Sequence, residues 1–141
     1  MVLLSSSPHA PRPVRSVLVL FVCLLAACAA SPVLEEGRWT GTLTPMNHPE
    51  METPVGYEVR HADEGLSIVV IGPGGERVPA RRPRLEGDTL TFSFVEPADQ
   101  VLLTCTLART RPPDSPTAGF AGRCVDPTGK WAQFTMRRPE A

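Results

Sequence analysis

Apolar and polar positions follow two different patterns along this chain. Val17 to Leu25 is an unbroken apolar run, and small residues follow it at Ala26, Ala27, Ala29 and Ala30. Arg12 and Arg15 stand before the run. A charged start, an apolar core and a small-residue end make the layout of a secretory leader. The run from Val17 to Ala30 falls short of the roughly 20 residues that span a bilayer core, which makes a mature transmembrane helix the weaker reading.

After the leader the period changes to two. "RWTGTLT" (38–44) sets Trp39, Gly41 and Leu43 on one face, and "VGYEVRH" (55–61) does the same with Val55, Tyr57 and Val59. Leu66, Ile68 and Val70 continue the series after the turn Asp63-Glu64-Gly65, and Leu90, Phe92 and Phe94 alternate in "TLTFSFVE". "VLLTCTLAR" (101–109), "AGFAGRCVD" (118–126) and "KWAQFTMRR" (130–138) complete it. Short alternating runs rich in β-branched and aromatic residues, bounded by Gly, Pro, Asp and Asn, predict strands. The run "ERVPARRPRL" (76–85) is interrupted by Pro79 and Pro83 and is expected at an edge or a bulge, because proline donates nothing to a ladder.

About eight strands joined mostly by tight turns predict an all-β, antiparallel up-and-down meander. Closing it hides both edges and gives a small barrel or barrel-like sandwich, preceded by a helical signal peptide. A barrel of that size is mostly filled by its own side chains and leaves room for at most one small ligand. The expected organisation is a leader over 1–27, a tether over 28–36 and a β-barrel domain over 37–139.

Leu25-Ala26-Ala27-Cys28 resembles the bacterial lipobox, an aliphatic residue and two small ones before a cysteine. The resemblance implies that the Cys28 thiol receives a diacylglyceryl group, that the leader is cut just before it, and that the new amino terminus is acylated. Ala29 in the next position implies the outer membrane, with the protein facing the periplasm. Several acyl chains, at about 0.8 kcal/mol per buried methylene, make such an attachment effectively permanent.

The chain carries a formal charge of −1, and losing Arg12 and Arg15 with the leader makes the remainder more negative. Nucleic acid is not an expected partner, since its binding needs basic residues to neutralise phosphates. Two cysteines remain beyond the leader, Cys105 and Cys124. In an exported chain an even pair reads as a structural bridge. A hairpin centred on Asp114 and Ser115 would set the two sulfurs opposite each other.

"EGRWTGTL" resembles the opening strand of the calycins, the lipocalins and their small-barrel relatives, through Gly37 and Trp39. The resemblance implies a barrel closed by an arginine on or after the last strand, packed across the tryptophan. Arg137 or Arg138 is the matching position. The Thr-Asp-Tyr motif and a sequence for the C-terminal helix are absent. The length and anchor also look like those of bacterial barrel-type protease inhibitors.

Motifs for a nucleophile elbow, a zinc protease, a redox dithiol or a phosphate loop do not occur. Gly72 to Glu76 reads as a hairpin turn, and the acid pairs Glu50/Glu52 and Glu86/Asp88 fall in expected loops, where solvation is the default and no pocket sets one apart as acid and the other as base. No catalytic residue and no cofactor are expected, and the chain does not read as an enzyme. Met46, His48 and Met51 lie within one loop and form a weak candidate for a soft metal; His61 is expected to be exposed. Arg77, Arg81, Arg82 and Arg84 make a basic cluster, either an anion patch or a charged edge.

The aromatic candidates for lining a ligand cavity are Tyr57, Phe92, Phe94, Phe120, Trp131 and Phe134. A hollow interior implies an envelope lipoprotein binding a small apolar ligand. A filled one implies a protein-interaction or envelope-structural module, including the protease-inhibitor type, that works through its loops on an envelope protein.

Overall fold

The computed structural model describes residues 33–112 and 118–139, so the leader and Cys28 lie outside it. Nine strands follow in chain order: β1 (Gly37–Pro45), β2 (Thr53–Ala62), β3 (Gly65–Ile71), β4 (Arg77–Pro79), β5 (Arg81–Glu86), β6 (Thr89–Val95), β7 (Leu102–Arg109), β8 (Gly119–Val125) and β9 (Trp131–Arg137). Sequence neighbours pair antiparallel from β1 to β4 and from β5 to β9, and β9 returns to pair with β1. The meander expected from the alternation is present, curled into a nearly closed barrel.

One stretch closes the remaining gap. β4 pairs with β3, and β5, beginning two residues later, pairs with β6. Between them the Ala80 N–H donates to the Ile68 carbonyl at 2.8 Å. The proline-interrupted run is thus one polypeptide passed from one neighbour to the other, which raises the strand count from the expected eight to nine. Its break has a local cause: Pro79 and Pro83 cannot donate, Arg82 takes a φ of 50°, and the β5–β6 register shifts between Arg81 and Arg84.

The inner face collects the alternating apolar residues. Trp39, Tyr57, Val59, Ile68, Leu90, Phe92, Leu107, Phe120, Phe134 and Met136 are all buried. Each large side chain removed from water contributes about 1.5–3 kcal/mol, the main force holding the sheet curled. Cys105 and Cys124 are direct register partners on β7 and β8 and form an internal disulfide, as their spacing about the hairpin centre predicts.

Antiparallel chain direction sorts the loops into two ends. The β1–β2, β3–β4, β6–β7 and β8–β9 connections share one end. The amino-terminal segment and the β2–β3, β5–β6 and β7–β8 connections share the other. Strands of this length, at about 3.3 Å per residue, separate the two ends by roughly 20–25 Å.

The amino-terminal end is closed. Leu34 is buried, its carbonyl accepts from the His61 Nε2–H, and the His61 backbone N–H donates to the Glu36 carboxylate. The Trp39 indole N–H donates to the Glu35 carbonyl at 2.9 Å, and Arg138 reaches the Glu35 carboxylate at 2.6 Å. Residues 34–36 therefore belong to the folded domain, and the expected tether ends earlier than residue 36. His61, expected to be merely exposed, fastens this strap.

Candidate ligand site at the open end of the barrel

At the other end the interior is not filled. Inner-face residues near the strand ends, Leu43, Val55, Val70, Val78, Phe94 and Phe134, line a cavity of about 440 Å³ that opens between the loops. Gly72, Pro73 and Glu76 of the β3–β4 turn and Glu96, Pro97 and Ala98 of the β6–β7 loop form part of its rim. The walls are apolar because period-two alternation continues to the last turn of each strand. The space stays open because valine and leucine are smaller than the aromatic residues that occupy the closed end. A concave apolar pocket of some 300–1,000 Å³ with few polar groups is the usual form of a small-molecule site.

The rim's charge has one sign. Glu76 accepts from the Gly74 N–H at 3.1 Å, and Glu96 accepts from the Ala98 and Asp99 N–H groups at 3.1 and 2.7 Å. Both carboxylates are thereby held in place by the backbone of their own loops. Elsewhere on this end the loops carry Glu50, Glu52, Asp99 and Asp126, with Lys130 as the basic residue. Asp126 accepts from the Thr128 hydroxyl at 2.7 Å and from the Thr128 and Lys130 N–H groups, and these bonds hold its carboxyl below the usual range.

The aromatic residues proposed for the lining divide three ways. Phe94 and Phe134 reach the cavity and meet edge to face, their centroids 6.1 Å apart. Tyr57, Phe92 and Phe120 are sealed in the core below it. The Tyr57 hydroxyl donates to the Thr135 carbonyl, and burial pushes the phenol pKa above its ordinary range. Trp131 is a correction, because its register places it beside Val125 with the outward-facing residues of β9, where the Arg123 guanidinium lies 4.1 Å from its ring centroid. Counting alternation from Phe134 assigns Trp131 outward; aromatic identity alone had suggested a lining role.

An arginine other than Arg137 or Arg138 stacks on the aromatic partner of Trp39. Trp39 packs against Phe120 with centroids 6.3 Å apart, and the guanidinium lying over Phe120, at 4.8 Å, belongs to Arg109 of β7. The Arg109 side chain is 7% exposed and its Nε–H donates to Asp88 at 3.1 Å. Arg137 is exposed, and Arg138 acts on Glu35, one step removed from Trp39. Gly37, with a φ of 124°, begins β1 in a conformation that favours glycine.

The basic cluster is divided by ion pairing. Arg77 bonds Glu58 at 2.7 Å, and that bond is the leading reason the Glu58 carboxyl sits below its usual range. Arg84 pairs with Glu86; all four arginines are exposed, and Arg81 and Arg82 stand at the bulge. Met46 and Met51 are exposed on the β1–β2 loop, and the His48 ring is within 3.2 Å of the Glu50 carboxylate. Among the described residues, no three His, Cys, Asp or Glu side chains converge on a metal site.

No family model and no curated protein matches this chain. Among solved structures, a redesigned beta barrel is similar to it with a TM-score of 0.55 and 18% sequence identity, over 74% of this chain and 91% of that one. At that identity the likeness concerns the fold alone: this chain folds as a small β-barrel.

Proposed function

We propose that this protein is a non-catalytic lipoprotein of the bacterial envelope that takes a small apolar ligand into the open end of its barrel. The observation that carries this reading is the 440 Å³ cavity walled by Leu43, Val55, Val70, Val78, Phe94 and Phe134. The leader pattern and the lipobox-like quartet ending at Cys28 support export and anchoring, with the outer membrane facing the periplasm as the destination.

The test is to express the chain with its own leader, isolate it from membranes, and weigh it intact before and after denaturation. The expected product begins at acylated Cys28 and releases a noncovalent apolar guest. Val78→Trp, which fills the cavity from one wall, is expected to abolish the guest and leave the acylation. A non-acylated chain would overturn the anchor; an acylated chain whose wild type and Val78→Trp forms are equally empty would overturn the carrier role.

One observation favours a second reading, in which the same end docks on an envelope protein. Met46, Met51, Leu102 and Val125, four of the exposed large apolar side chains, lie on the loops or strand ends around the mouth. Exposed apolar groups gathered at one end mark interaction surfaces more often than scattered ones do. Cross-linking in intact cells from a photoreactive residue at position 102 separates this reading from the first.

A further inference from the structure

We propose that the mouth selects ligands that join an apolar chain to a cationic head, such as long-chain amines or quaternary alkylammonium compounds, and rejects anionic amphiphiles such as fatty acids. The inference rests on the carrier reading above and adds the charge of the head group to it.

The argument begins with what lines the cavity. Its walls are mostly hydrocarbon, with Thr53 as an uncharged polar member, and its charged lining residues are Glu76 and Glu96, both acids and both at the rim. An apolar chain entering the barrel must leave its polar end at that rim. A carboxylate head would there meet two carboxylates, and a neutral head would meet acceptors for a hydrogen bond from its hydroxyl. A cationic head meets opposite charge there, from the half-buried Glu96 and the exposed Glu76, an attraction that salt screens.

Placement strengthens the selection. Each ionised carboxylate offers about four lone-pair sites. Glu76 uses one on the Gly74 N–H, and Glu96 uses two on the Ala98 and Asp99 N–H groups. Acceptor capacity therefore remains on both, while the backbone bonds fix where it points. Holding the acceptors before binding removes part of the ordering cost that a mobile side chain would impose. Glu50, Glu52, Asp99 and Asp126 on the surrounding loops outnumber Lys130, the basic residue beside Asp126, so the net sign outside the mouth stays negative and favours the approach of cations over anions.

The experiment uses three probes of equal chain length: decyltrimethylammonium, decanol and decyl sulfate. Each is equilibrated with the full-length chain in one nonionic detergent, and bound probe is counted by native mass spectrometry. The Val78→Trp variant in the same detergent serves as the blank for partition outside the cavity. The expected order of binding above the blank is cation, then alcohol, then anion, with the cation exceeding the anion by about ten-fold at low salt and by less at high salt. Glu76→Gln combined with Glu96→Gln, which keeps an acceptor oxygen on each side chain, is expected to bring the cation-to-anion ratio close to one. Decanol binding above the blank with no preference for the cation would overturn charge selection and leave the carrier reading standing. No probe binding above the blank would overturn both.

Discussion

The phenol of Tyr57 on β2 donates to the carbonyl oxygen of Thr135 on β9 at 3.0 Å, reaching past β1, which lies between the two strands. It can do so because β1 carries Gly41 at that point. A Cβ there would stand 1.8 Å from the same carbonyl oxygen. On the outer side of this seam the Thr42 N–H donates to the Thr135 hydroxyl oxygen at 2.9 Å. Side chains thus bridge the first and last strands at Gly41 and Thr42, between the backbone pairs at Thr40 and at Leu43 to Pro45.

Removing the phenol should loosen that joint. Tyr57→Phe leaves the buried Thr135 carbonyl without its partner and is expected to cost about 1–3 kcal/mol in urea unfolding. Gly41→Ala forces the backbones apart and should cost at least as much. The chain has a single tyrosine, so phenolate absorbance reports this site alone. Burial raises the Tyr57 pKa, so the stability it gives is present below the ordinary phenol value of about 10 and declines as pH rises above that value. Phenolate is expected to appear only together with unfolding, and the corresponding loss of stability should be missing in Tyr57→Phe.

Reducing the Cys105–Cys124 bridge should cost about 3 kcal/mol, the loop-closure value for cysteines 19 positions apart. Urea midpoints with and without reductant measure it, and the Cys105→Ala/Cys124→Ala chain should resemble the reduced wild type within about 1 kcal/mol.

The closed end should fail when its plug is trimmed. Leu34→Ala empties a fully enclosed site, and a loss of about 2–5 kcal/mol is expected in urea unfolding. In a Trp131→Phe background, Trp39 becomes the sole tryptophan, and its emission should shift red when Leu34 is shortened because water then reaches the indole.

At low pH two surface carboxylates set the direction of change. Asp126, bonded by the Thr128 hydroxyl, and Glu58, bonded by Arg77, both have depressed pKa values in the folded protein. A depressed carboxyl contributes stability that is full above its unfolded value and is lost as pH falls through the folded one. Stability should therefore decline below about pH 4.5, the unfolded carboxylate range. Asp126→Asn, which keeps an acceptor but cannot titrate, should make that decline shallower in thermal melts taken between pH 3 and pH 6.

Much of the architecture was readable because period two is a local property. Leu90, Phe92 and Phe94 announce an inner face without reference to any other strand, and Cys105 and Cys124 announce their register through equal distance from the hairpin centre. Closure was less readable. The handover at Ala80 that passes one strand between two neighbours depends on where β3 and β6 end, and the sequence near Pro79 and Pro83 shows only that the strand is irregular. The cavity was least readable, since Val55, Val70 and Val78 look like ordinary core residues, and nothing local to their strands shows that no larger side chain from across the barrel fills the space between them. Arg109 passed unnoticed because its charge suggests an outward residue, although period two from Cys105 and Leu107 sets it on the inner face, where it pairs with Phe120 and bonds Asp88.

The burial of Leu34 shortens the leash. For a lipid attached at Cys28, the chain from there to Val33 can reach at most about 3.3–3.6 Å per residue, or roughly 18 Å. The barrel is roughly 20–25 Å from one end to the other, and the leash is tied to the end away from the opening. The molecule could then lean or pivot on its membrane but could not invert to press its mouth against the same bilayer. Cargo would enter and leave on the side facing away from the anchoring surface, so exchange would run through solution or with a body standing across the gap.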